Sequence, residues 1–232
     1  MSVKKILLLA AAASVVVCMS SAIAGGYTSE QPMEAIPMAD NGYYIEGSVG
    51  YAVQNYYNAL MWRNGGIQSG ASNVTGGFTG GLDTGYIINK HYAVELGWYY
   101  LPAVNVAAAG TSSSSLTSWA LYLAAKYMVP LGWHDTDWFS KVGVMYRAAN
   151  LPNAMLTQYN VTTGNTSFVR PMFATGFSMG FADAWNAVLQ YAYFMGARNS
   201  FPLVATPPNN SGSLSTVAAN VITLGLGYKF MM

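Results

Sequence analysis

The chain has 232 residues, enough for one domain, with only 8% charged residues against 14% aromatics and a formal net charge of +1. A soluble domain is roughly a quarter charged, so this composition excludes an ordinary water-facing surface, and the near-neutral balance supplies no basic patch for nucleic acid. Beyond the N-terminus no apolar run reaches the roughly 20 residues of a helical membrane span; abundant Tyr and Gly with short-range alternation point instead to strands in lipid.

Met1–Ala24 reads as a secretory signal peptide: Lys4 and Lys5 precede the apolar stretch Ile6–Cys18, and Ala22-Ile-Ala24 is a small-x-small cleavage site. The expected mature chain starts at Gly25 and contains no cysteine, which suits an exported protein without disulfides. Gly25–Asn41 holds Pro32 and Pro37, shows no hydrophobic period and reads as a flexible periplasmic lead-in to a barrel over 42–232.

Strand patterns follow in order. The first is near Tyr43–Asn55, with Tyr43, Ile45, Val49, Tyr51 and Val53 outward and Glu46, Ser48 and Gln54 inward. The second, Gly76–Ile88, meets the third, His91–Leu101, at a tight Asn89-Lys90 turn; Tyr92, Val94, Leu96, Trp98 and Tyr100 face out and Glu95 in. Pro102–Ser115 reads as a loop. The fourth strand, Leu116–Val129, puts Trp119, Leu121, Leu123, Ala125 and Tyr127 on one face and Tyr122 and Lys126 on the other. The fifth, Asp137–Ala148, turns Lys141, Gly143 and Arg147 inward, and the sixth, Phe168–Phe181, turns Arg170 inward. The seventh runs over Trp185–Ala197, followed by a proline-bearing loop over Arg198–Gly212. The last, Val221–Phe230, alternates Ile222, Leu224, Leu226, Tyr228 and Phe230 with Thr223, Gly225, Gly227 and Lys229. Its small-polar face is too thin for a soluble surface.

Connections after the odd-numbered strands are long and those after the even-numbered ones short. Short periplasmic turns and long extracellular loops are the rule in outer-membrane barrels, and only closure satisfies every strand edge in lipid. The expected fold is therefore all-β, an eight-stranded antiparallel up-and-down transmembrane β-barrel with both termini periplasmic.

The inward charges Glu46, Asp83, Glu95, Lys126, Lys141, Arg147, Arg170 and Lys229 are the strongest constellation. They read as a mutually paired plug, since lone buried charges are costly, or as the lining of a narrow ion-conducting pore. Tyr43, Trp98, Trp119, Tyr127, Trp138, Trp185 and Tyr228 read as interfacial belts. The histidines, His91 and His134, fall at short turns and not at the loop rim where a lipid-modifying enzyme would need them. No cofactor is expected. A metal site needs clustered His or Cys ligands, and the pattern offers no such group.

The segments Leu121–Asn150, LYLAAKYMVPLGWHDTDWFSKVGVMYRAAN, and Gly85–Leu101, GYIINKHYAVELGWYYL, resemble two hairpins of the transmembrane domain of outer membrane protein A; Val169–Tyr193 follows a third. The wider family is the small opacity-protein-like barrels. The resemblance implies an interior charge network in which Glu95 and Lys126 match a glutamate and a lysine, while Val188 stands where an arginine is expected and Ser178 where a glutamate is. It also implies outer-membrane lipids and lipopolysaccharide as surroundings. Tyr228 and Phe230 resemble the terminal aromatic signal read by the barrel assembly machinery, with Met231 and Met232 beyond it. The chain stops after the eighth strand, so no peptidoglycan-binding role is implied. The expected function is structural, with loops available to a host or matrix ligand; a small channel and a lipid-modifying enzyme are the alternatives.

Overall fold

The structure is a computed structural model that describes residues 41–54, 75–106, 114–133, 135–151, 163–182, 184–202 and 213–231. The expected signal peptide and, apart from Asn41, the lead-in lie outside the described residues, as does His134.

The strands are β1 Gly42–Gln54, β2 Thr75–Asn89, β3 Tyr92–Val106, β4 Ser114–Pro130, β5 Thr136–Asn150, β6 Asn165–Ala182, β7 Trp185–Phe194, β8 Ala197–Pro202, β9 Ser213–Thr216 and β10 Ala219–Met231. β1 to β7 and β10 form one closed barrel of sequential antiparallel neighbours, sealed where β1 pairs with β10 over Gly42↔Met231 to Gln54↔Ala219. Antiparallel order puts the connections after β1, β3, β5 and β7 at one end, and the short turns at the other end with both ends of the barrel chain.

Alternation is carried through the whole wall. In β1 every second side chain from Gly42 to Ser48 is buried and those between are exposed. Outward residues are large and apolar: Val49 is 55% exposed, Val142 56% and Leu224 62%, within a continuous band that includes Leu82, Leu96, Leu123 and Leu189. An apolar patch of this extent is foreign to a water-facing monomer and is the outward surface of a barrel in lipid. Aromatics bracket the band. At the short-turn end Tyr43 packs on Tyr86, Tyr92 on Tyr127, and Tyr228 on both Trp185 and Phe230.

Two sequence expectations are corrected. β3 does not stop at Leu101: it continues to Val106 through a register shift between Leu101 and Val104. Pro102 has no N–H to give the ladder, and an irregularity absorbs it without ending the strand. The seventh strand stops at Phe194, and the chain after it is not all loop, because β8 and β9 pair into a separate two-stranded sheet. Met195-Gly196 and Val217-Ala218 interrupt the pairing on the two sides, so the hairpin leaves the cylinder; β8 lies against β6.

Candidate functional site

The inward faces of the barrel strands meet in the lumen, and the side chains stack there in layers. Toward the short-turn end lie the charges. Glu95 of β3 is wholly buried and accepts from Lys141 Nζ, from the Tyr44 hydroxyl, from the Tyr122 hydroxyl at 2.5 Å and from Lys126 Nζ at 3.5 Å. Donors from three strands, β1, β4 and β5, thus converge on one carboxylate of β3. Asp83 of β2 accepts from the Tyr122 hydroxyl at 2.8 Å and from the Tyr99 hydroxyl at 3.1 Å, so Tyr122 bridges the two acids with a single proton. Tyr99 in turn accepts from Gln190 Nε2 at 3.0 Å and from Ser48 Oγ at 3.2 Å. Both ammonium groups also lie over aromatic faces: Lys126 is 4.6 Å from the Phe139 ring centre and 4.9 Å from that of Tyr44, and Lys141 is 5.1 Å from that of Phe139. A cation over a ring is stabilised by the ring quadrupole.

Glu46 is buried in the same layer, directly across from Asp83 in register. Its Oε2 has no hydrogen-bond partner among the described residues, and its Oε1 leans over Gly225, where a Cβ would come to 2.7 Å.

Above this layer the lumen is apolar. Leu101, Ala120, Met145, Met172, Ala192, Phe194 and Val221 pack into one buried cluster with the rings of Tyr99 and Tyr122. Beyond it, toward the long connections, Arg147 is fully buried. It donates to the Val217 carbonyl at 2.6 Å, to Gln54 Oε1 at 2.5 Å and to Ser118 Oγ at 3.2 Å, while Gln54 Nε2 donates to the Pro102 carbonyl at 2.9 Å. Arg147 thereby ties β1, β4 and the break between β9 and β10 to β5.

The sequence-selected residues therefore separate. Glu46, Asp83, Glu95, Lys126 and Lys141 share one layer, and Arg147 lies in another across the apolar plug. Arg170 has the inward register of Met145, its partner on β5, yet it is exposed. β6 pairs with β7 only from Met172 onward, so Arg170 lies beyond the end of that ladder. Lys229, opposite Tyr44, is half-buried near the last residues of β10. Val188 is buried and pairs with Ser178, which accepts from Asn186 Nδ2 at 3.0 Å, so two neutral residues occupy those inward places. His91 lies at the β2–β3 turn with its Nδ1 3.1 Å from the Met128 carbonyl. Tyr228 is half-buried and Phe230 exposed on the outer wall.

Three contributors have no charge to betray them: Tyr44, Tyr99 and Tyr122. Each lies across from a glycine, in the pairs Tyr44↔Gly85, Gly81↔Tyr99 and Gly97↔Tyr122, and each ring folds over that glycine. A Cβ on Gly97 would come within 2.0 Å of Asp83 Oδ1 and 2.3 Å of the Tyr122 ring. An inward tyrosine facing an inward glycine is the signal, but it becomes readable only once the register is known.

Residues 38–232 match the family model described as the OmpA-like transmembrane domain. Among curated proteins no sequence relative matches. Among solved structures, the chain is similar to the outer membrane protein AlkL, determined by solid-state NMR in lipid bilayers, at 13% identity and a TM-score of 0.56, over 90% of this chain and 98% of that one. It is similar to OprG of Pseudomonas aeruginosa at 17% identity and a TM-score of 0.54, over 82% and 97% of the two chains. Neisserial surface protein A aligns over the same shares at 12% identity and a TM-score of 0.51. At such identities the likeness is one of fold.

Proposed function

The chain belongs to the family of OmpA-like transmembrane domains, and from that premise we propose a closed outer-membrane barrel that passes no solute and presents its long connections outside the cell for adhesion or host contact. Both termini then lie in the periplasm, and Met1–Ala24 is removed on export. No hydrolytic step belongs to this reading.

One observation carries it: the apolar layer of Leu101, Met145, Met172 and Phe194 between the Lys141 layer and the Arg147 layer. An ion crossing the lumen would have to shed its water between those residues, a penalty of several kcal/mol or more without polar partners. Eight strands enclose an interior that side chains fill, and here the filling at mid-height includes one packed apolar cluster. Below it Lys126 and Lys141 pair with Glu95, and tyrosine hydroxyls hold Asp83, so these charges tie strands together.

Planar-bilayer recording of the purified barrel tests the closed lumen. The expected trace stays at baseline, and a steady conductance would overturn the reading in favour of a channel. Shortening residues 58–72 and 203–212 tests the loops. Closure entropy changes slowly with loop length, so the barrel should still fold while binding to host cells or matrix falls. Unchanged binding would leave a purely structural barrel.

A further inference from the structure

On the outer wall, at the end carrying the long connections, β4, β5 and β6 form a groove of about 420 Å³. This lies within the roughly 300–1,000 Å³ of small-molecule sites. We infer that it binds an uncharged sugar ring of the lipopolysaccharide in the surrounding outer leaflet. The inference rests on the loops facing outward, as proposed above.

The register builds the site. Trp119, Ala148 and Ser167 lie side by side on the three strands, with Thr117, Asn150 and Asn165 next toward the loops. Seven of the nine lining residues have outward parity, Ala149 and Thr166 being the exceptions, so the groove opens on the membrane side of the wall. Ala148 is the small residue that gives it depth. Trp119 and Tyr146 flank Ala148 as a tilted pair with ring centres 5.7 Å apart. Thr117, Asn150 and Ser167 line the groove, and their side chains make no hydrogen bond with other described residues. Unspent hydroxyl and amide groups beside two aromatic faces suit a ring with an apolar C–H face and a hydroxyl edge. Aromatic side chains supply rigid contact area, and Ser, Thr and Asn supply adaptable hydrogen bonds.

Height and charge choose the occupant. Toward mid-membrane the same strands present Leu121, Leu123 and Val142, all exposed and apolar, whereas Asn150 ends β5 and Asn165 begins β6. The groove therefore sits where acyl chains give way to headgroups. Among the described residues no Lys or Arg lines it, and a phosphate or carboxylate headgroup would call for one. A neutral sugar does not.

The test uses the full barrel in mild detergent, with native mass spectrometry counting bound lipid after exposure to lipopolysaccharide or to phosphatidylglycerol. Ala148→Phe fills the groove, and Trp119→Leu removes the flat face while keeping the wall apolar; the heat-dependent gel shift confirms that each variant is folded. Both should lose about tenfold in lipopolysaccharide affinity, a change of about 1.4 kcal/mol, with phosphatidylglycerol binding unchanged. Wild-type lipopolysaccharide binding in either folded variant overturns the proposal. An equal loss of phosphatidylglycerol also overturns it, since the groove would then be an acyl-chain crevice. Thr163→Cys, labelled on intact cells with a membrane-impermeant maleimide, separates the premise from the site. Without labelling the loops do not face outward and the proposal falls with its premise; with labelling, the lipid counts decide the site.

Discussion

Lys141 is out of water with its ammonium on Glu95, and neither group has a cheaper place to go. Removing one partner of such a pair leaves a bare charge in a low-dielectric interior, which costs about 3–5 kcal/mol. Lys141→Met should therefore destabilise the barrel by that order, and Lys141→Met with Glu95→Gln by less than the sum of the two. Reversible urea unfolding in lipid vesicles gives the double-mutant cycle, with an expected coupling of about 1–3 kcal/mol; zero coupling would mean that the two charges do not meet. Gly97 makes a second test at this scale. A methyl there collides with Asp83 and the Tyr122 ring, so Gly97→Ala should cost about 1–3 kcal/mol by overpacking. Gly47, which faces outward with nothing near its would-be Cβ, is the control, and Gly47→Ala should fold as the wild type does. Equal losses at both would show that glycine backbone freedom, and not space, is what matters.

At the scale of the element, each strand is a two-sided object, and adjacent residues obey different physics. Leu123 faces the membrane and Ala124 the lumen. Leu123→Arg should cost about 2–4 kcal/mol near the bilayer midplane, whereas Ala124→Leu should cost about 1–3 kcal/mol by crowding a filled interior. If Leu123→Arg is neutral in the same unfolding assay, the faces are a residue out of register. The β8–β9 hairpin poses a separate question, because it leaves the cylinder. Arg147 bonds the Val217 carbonyl just where the chain re-enters the wall. Arg147→Met should raise amide hydrogen exchange over 213–218 while exchange in β3 and β4 stays slow; uniform protection would show that the hairpin is held by other contacts.

For the whole molecule, closure is the decisive event. The pairing of β1 with β10 removes the last free edges, which no open sheet in lipid can leave unsatisfied. It also stacks a charged layer, an apolar layer and Arg147 along one axis. That order makes the bilayer recording a test of the fold as much as of function: a lumen opened only by Met145→Gly with Phe194→Ala would locate the barrier in the apolar layer. The proposed processing is checked by intact mass, which should begin at Gly25; a retained Met1–Ala24 or a lipid on Cys18 would refute it.

Inside and outside were legible in the sequence, because parity is a local property of an extended chain. Ile222, Leu224 and Leu226 against Thr223, Gly225 and Gly227 state both faces of β10 without reference to any other strand, and the same alternation turned Glu46, Glu95, Lys126 and Lys141 inward. Long and short connections then gave the up-and-down order. Height was not legible. Whether two inward residues meet depends on the stagger of every strand between them and on the curvature that closure imposes. Parity alone could not prefer Lys141 to Lys126 as the nearer partner of Glu95, put Arg147 beyond an apolar layer, leave Arg170 exposed, or fold Tyr44, Tyr99 and Tyr122 over the glycines opposite. Those placements exist only once eight registers are fixed together, so the tertiary structure decided them.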